Sequence, residues 1–105
     1  MIKIKPLCVN QCWQGRRFKT PKYKAYEKEL LLKLPKLDIP KGLIEIEIIF
    51  HLKNKLFDID NGVKPFLDIL QKKYGFNDRD IYKMNVTKTI SKEEGIEFKI
   101  KDYEI

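Results

Sequence analysis

The chain has 105 residues, enough for one compact domain with a real but thin-margined core, and not enough for two. With 43% hydrophobic and 35% charged residues it does not have the composition of a disordered chain, and no apolar run approaches the roughly 20 residues that a bilayer crossing needs. A net charge of +7 asks for an anionic partner, nucleic acid first and an anionic membrane surface next, against the plain alternative of a lysine-rich solvated surface. Cys8 and Cys12 stand far in sequence from the single histidine, His51. They are too few for a zinc site and read as free thiols in a reducing, cytoplasmic setting, with no membrane and no small-molecule cofactor as partners.

At the N-terminus Ile2, Ile4 and Leu7 alternate with Lys3 and Lys5, which predicts a short first strand ended by Pro6. Residues 9–20 show no sustained period and read as a long basic loop carrying Asn10, Trp13, Arg16, Arg17 and Lys19. Thr20-Pro21 predicts a helix entry, with Thr20 as cap and Pro21 in the first helical position. Tyr23, Tyr26, Leu30 and Leu34 then recur at helical spacing until Pro35. Over 43–52, Ile44, Ile46 and Ile48 fall on one face and Glu45 and Glu47 on the other, with Ile49, Phe50 and Leu52 extending the apolar character, as in a central strand.

After the polar turn at 54–56 comes Asp58-Ile59-Asp60-Asn61, then a helix to about Lys73 with Val63, Phe66, Leu67, Ile69 and Leu70 on its apolar side and Gly75 as its stop. Residues 77–80 make an acidic loop, and 81–90 with 95–105 alternate like the two strands of a hairpin. The expectation is one α+β domain over 1–105, two helices against a small, mostly antiparallel mixed sheet.

A net-positive chain seldom concentrates carboxylates, yet Asp58, Asp60, Asp78 and Asp80 flank one predicted helix. In an extended segment Asp58 and Asp60, two apart, face the same side, and the loop with Asp78 can return toward them. Converging carboxylates repel unless a cation joins them, and hard oxygen donors suit magnesium or manganese better than zinc. Such an ion activates water for phosphodiester hydrolysis. Lys64, four residues after Asp60, is placed either to stabilise a phosphate in the transition state or to pair on the helix surface with Asp60 or Asp68. Asp-x-Asp also occurs as a helix cap, so the pair alone leaves both readings open.

The run from Phe57 to Leu70, followed by Asn77-Asp78-Arg79-Asp80-Ile81, resembles the RusA family of Holliday junction resolvases. Its members carry Asp-x-Asp-Asn, a lysine four positions on, a further aspartate in the helix, and an acidic pair just before a strand. Pro6-Leu7-Cys8-Val9-Asn10, the basic loop and the tyrosine-bearing helix also resemble the family, so the likeness covers most of the chain. It implies a homodimeric, magnesium- or manganese-dependent endonuclease that nicks four-way DNA junctions symmetrically. Asp58, Asp60 and Asp78 match the metal-binding carboxylates, and Lys64 matches the catalytic lysine. The chain departs from the pattern at Asn77, where the acidic pair loses its first member, and at Leu56-Phe57, where some members carry arginines.

Asn10, Arg16, Arg17, Lys19 and Lys22 are the candidates for gripping DNA phosphates, with Trp13 either stacking on a base or anchoring the loop. A four-way junction has two-fold symmetry, so a C2 dimer would supply two sites, with the helix over 21–34 and the strand over 43–52 as the most apolar candidate interfaces. The competing readings are a non-catalytic DNA-binding module, an RNA-associated basic protein lacking the usual stacking signatures, and a nuclease for flaps or replication forks. Small size and lysine-rich composition are compatible with a phage or prophage origin.

Overall fold

A computed structural model describes residues 1–15 and 18–104. Helix α1 (Pro21–Lys33) begins where Thr20 Oγ1 accepts a hydrogen bond from the Tyr23 amide at 3.1 Å, with Pro21 in the first turn. It buries Tyr23, Tyr26 and Leu30, and Leu34 follows them into the core. Helix α2 (Val63–Tyr74) buries Phe66, Ile69 and Leu70, and ends at Gly75, whose φ of 78° is the left-handed turn that favours glycine. Lys72 reaches Glu27 at 3.2 Å and the Tyr74 hydroxyl donates to the Pro35 carbonyl at 2.7 Å, tying the two helices side by side.

The helices cover one face of a three-stranded sheet. Strand β3 (Ile44–Leu52) is its centre, with β4 (Ile81–Ile90) parallel on one side and β5 (Gly95–Asp102) antiparallel on the other. Ile44, Ile46, Ile48, Phe50 and Leu52 face the helices and are no more than 2% exposed. Phe66 meets the rings of Phe50 and Phe98 edge-on, at 6.3 and 5.7 Å between centroids. Each such side chain contributes about 1.5–3 kcal/mol by leaving water. On the other face Glu45 is bracketed by Lys101 at 3.6 Å and Lys83 at 3.8 Å. The α+β class and the mixed sheet are as the sequence predicts.

Three local expectations are corrected. The first strand is reduced to one bridge, Ile2 to Ile96, because the chain leaves the sheet edge after it to lay Ile4 and Leu7 on the core. The basic loop is not wholly irregular. A 3-10 turn at Val9–Gln11 is followed by a two-stranded ribbon, β1 (Trp13–Gln14) with β2 (Phe18–Lys19). The last two strands form no hairpin: β3 lies between them. A central strand that is apolar for much of both faces needs a neighbour on each side. The α2 crossover supplies one, and residues 91–94 pass over the end of β3, where the Ser91 amide donates to the Leu52 carbonyl at 2.7 Å. Alternation specifies a strand's face and leaves its neighbour open.

Candidate active site

The acidic segment leaves the far end of β3 as a 3-10 turn, Ile59–Gly62, with Asp58 in the capping position. It is pinned at both ends. The Phe57 ring packs on Phe50, 6.1 Å between centroids, and lies so close over Gly62 that a Cβ there would fall 2.8 Å from the ring. Only glycine lets that ring close against the turn. The turn also corrects the extended reading of the pair. In a 3-10 helix residues three apart share a side. Asp58 therefore goes with Asn61, whose Nδ2 donates to Asp58 Oδ2 at 3.3 Å, while Asp60 takes another side of the same turn.

Asp58 and Asn61 open into a cleft of about 730 Å³ between the N-terminal segment and the loop after β3. Lys5, Asn10, Lys53 and Glu94 also line it. Glu94 comes from the connection between β4 and β5, and no sequence signal ties it to Asp58. Only the packing of three distant segments brings Lys5, Lys53 and Glu94 to one wall.

Neither aspartate is engaged structurally by a described residue in the manner of a cap or ion pair. Asp58 makes no side-chain capping bond although it holds the capping position. Among the described residues no ion pair involves Asp58, Asp60 or Asp78. All three are exposed. A carboxylate fixed in place yet left uncompensated is available to a ligand.

Lys64 stands on the first turn of α2 and pairs with Asp68 at 2.8 Å, not with Asp60. The hydrogen bond to Asp68 raises its pKa, with a smaller contribution from the charge of Asp78, so it stays protonated through neutral pH. Asp78 lies in the 3-10 turn Asp78–Asp80 just before β4. β4 begins beside Ile44, so Asp78 precedes the sheet at the start of β3 while Asp58 and Asp60 follow its end, although the charge of Asp78 still reaches Lys64. Convergence of the three carboxylates is thus not seen: among the described residues no group of three His, Cys, Asp or Glu side chains is arranged to hold a metal ion.

Of the expected DNA contacts, Asn10 lines the cleft and Lys22 lines an adjoining cavity of about 300 Å³ that shares Lys5, Pro6 and Gln11 with it. Lys19 is otherwise engaged, 3.0 Å from Glu27 and over the Tyr23 ring. Arg16 and Arg17 lie outside the described residues. Trp13 stands edge-on to Tyr23 at 5.7 Å and remains 43% exposed, which fits a half-anchored loop. Both cysteines are free thiols, and burial pushes Cys12 up to about 11, with Cys8 and Asp68 adding, so it is no nucleophile at neutral pH. No helix is long and apolar enough to cross a membrane among the described residues.

The family model for the endodeoxyribonuclease RusA matches residues 8–101, which includes every residue of this site except Lys5 and Pro6. The chain belongs to the RusA family. It is therefore placed among endonucleases that resolve Holliday junctions and act on branched DNA. No curated protein matches it. Within RusA terms, the matched span carries the Asp58–Asn61 turn, Lys64 and Asp78 on consecutive elements around α2.

Proposed function

We propose that the chain is a magnesium-dependent Holliday junction resolvase that nicks two strands symmetrically, with its metal centre at the Asp58–Asn61 turn. The observation that carries this is the turn itself: two exposed carboxylates, neither capping nor ion-paired to a described residue, on a turn fixed beside a cleft whose wall carries Lys5, Lys53 and Asn10. The donors fit a hard divalent ion, since magnesium keeps waters and is commonly held by one or two carboxylates together with substrate phosphate oxygens. When bound, magnesium or manganese lowers the pKa of a coordinated water and neutralises charge on the phosphate.

The chain's own residues do the rest. Asp58 and Asp60 present their carboxylate oxygens from one turn, and Asn61 orients Asp58 through its amide. Lys64 keeps its proton on Nζ and offers that charge to the phosphate as negative charge builds on it. Its present pair with Asp68 is solvent-exposed and hence weak, so exchange for a phosphate costs little. Asn10, Lys5, Lys22 and Lys53 hold the backbone on either side, and the grip falls with salt.

A homodimer belongs to the same reading. Of the two interfaces suggested by sequence, β3 is flanked by a strand on each side, and α1 turns Tyr23, Tyr26 and Leu30 into the core while leaving Leu32 exposed. Five further exposed apolar residues lie along one edge, Tyr82, Met84 and Ile90 on β4 and Leu56 and Ile59 at the acidic turn. A two-fold, antiparallel approach across that edge would carry the start of one β4, with Asp78, toward the end of the other, where Asp58 and Asp60 stand. The test is cleavage of a labelled four-way junction beside a linear duplex and a fork of the same sequence, with and without magnesium. Paired nicks on the junction alone, dependent on metal, support the proposal. Fork cleavage without junction cleavage would reassign the substrate, and metal-independent binding without cleavage would overturn the enzyme.

A further inference from the structure

Lys88 breaks the logic of its strand. By register it lies beside Phe50 on the helix-facing side of the sheet, where every β3 residue is apolar. A lysine on the inner side of an edge strand is often a guard against edge-to-edge pairing, but such a guard ends in water. Lys88 Nζ instead donates to the Phe57 carbonyl at 2.7 Å and the Lys55 carbonyl at 3.0 Å, and the residue is only partly exposed in a strand most of whose residues are exposed. These carbonyls belong to the loop that runs into Asp58. The Phe57 carbonyl is the acceptor of the peptide bond whose nitrogen is that of Asp58.

Two charge-assisted hydrogen bonds to a short loop fix its backbone. From the other side the Phe57 ring closes on Gly62. The acidic turn is thus held by an aromatic lid and by one ammonium group reaching across from the neighbouring strand. The ammonium charge also stands directly behind the Asp58 backbone, so Lys88 binds β4 and the carboxylate-bearing turn into one unit.

We infer that Lys88 is a positioning residue of the active site, acting through the backbone of residues 55–57 to set where the Asp58 carboxylate stands. The inference rests on the resolvase reading for its catalytic consequence, but its structural content is independent of it. Lys88→Met keeps the length and removes the donors, and Lys88→Arg restores them. Groups that orient a metal ligand are commonly worth 10–100-fold in metal affinity or activity. Lys88→Met is therefore expected to need about 10-fold more magnesium for half-maximal junction cleavage and to lose kcat by about 10-fold. Metal-free junction binding should stay within about twofold, and Lys88→Arg should recover most of the loss.

Amide hydrogen exchange supplies the arm that does not depend on cleavage. Amides of residues 55–61 should exchange faster in Lys88→Met while those of β3 do not change. Unchanged exchange at 55–61 overturns the inference even if the wild type proves to cut nothing. An unaltered magnesium requirement in a wild-type background that does cleave overturns it too. So does a loss of junction binding in step with cleavage, since that would make Lys88 a phosphate contact. Absence of cleavage by the wild type would count against the resolvase reading alone, leaving exchange to decide the clamp.

Discussion

Strands β3 and β4 lie side by side and parallel, in one register from Glu45 onward, and have opposite fates. Leu52 is 2% exposed, while Ile90 beside it is 55% exposed; Ile46 is at 0%, while its neighbour Met84 is at 38%. Both strands offer aliphatic residues to the same face, but on β4 Ile81 and Val86 are only partly buried against the core that holds the β3 residues. The difference separates two jobs. β3 is the packed centre of the core, and in the proposed reading β4 with the adjoining 55–62 loop serves the site, because only groups outside the close-packed core can meet a ligand.

The largest effect that would sharpen this contrast is Phe50→Ala. Deleting a fully buried phenylalanine should cost about 3–5 kcal/mol of unfolding free energy in denaturant titration. Ile90→Ala should cost less than about 1 kcal/mol in the same titration. Equal costs would break the comparison and show that β4 is covered in the monomer. Next comes Lys64→Ala, which should lower junction cleavage about 100-fold with little change in melting temperature, because its pair with Asp68 is an exposed one. A matching loss of stability would return Lys64 to an ordinary helix-surface lysine.

How much of this could be read beforehand follows the same division. The periodicities over 21–34 and 43–52 marked Tyr23, Tyr26, Leu30, Ile44, Ile46 and Ile48 as core because burial acts on the residue's own face, a local pattern. Thr20 and Gly75 were legible as helix ends for a local steric reason. Strand neighbours are non-local, so a hairpin was expected where β3 intervenes. At the site, Asp58, Asp60 and Lys64 stood out by spacing, but the extended geometry expected of Asp58 and Asp60 yields to a 3-10 turn fixed by Phe57 on Gly62. Glu94 and Lys88 were illegible as site neighbours because they reach Asp58 only through the third dimension.

The smallest predicted effect lies where α1 meets α2. Burial alone would raise the pKa of Glu27, but hydrogen bonds from Lys19 and Lys72 prevail and lower it. A carboxylate with a lowered folded pKa contributes stability above its unfolded value, near 4.5, and loses that contribution as pH falls through the folded value. Glu27→Gln should therefore be less stable than the wild type by about 0.5–1 kcal/mol at neutral pH, with the gap in melting temperature closing below the ordinary carboxylate range. A gap that persists unchanged in acid would assign the loss to packing instead of charge.

The claim at the centre is that the Asp58–Asn61 turn is a metal-dependent cutting site set on an independently stable core. The most direct measurement is magnesium-dependent cleavage of a four-way junction by the wild type and by Asp60→Asn, with junction binding and thermal melting recorded on the same samples. The account predicts paired nicks by the wild type, a loss of at least about 100-fold in the variant, and unchanged binding and melting. A variant that cuts as well as the wild type, or that loses cleavage only in proportion to its fold, would contradict it.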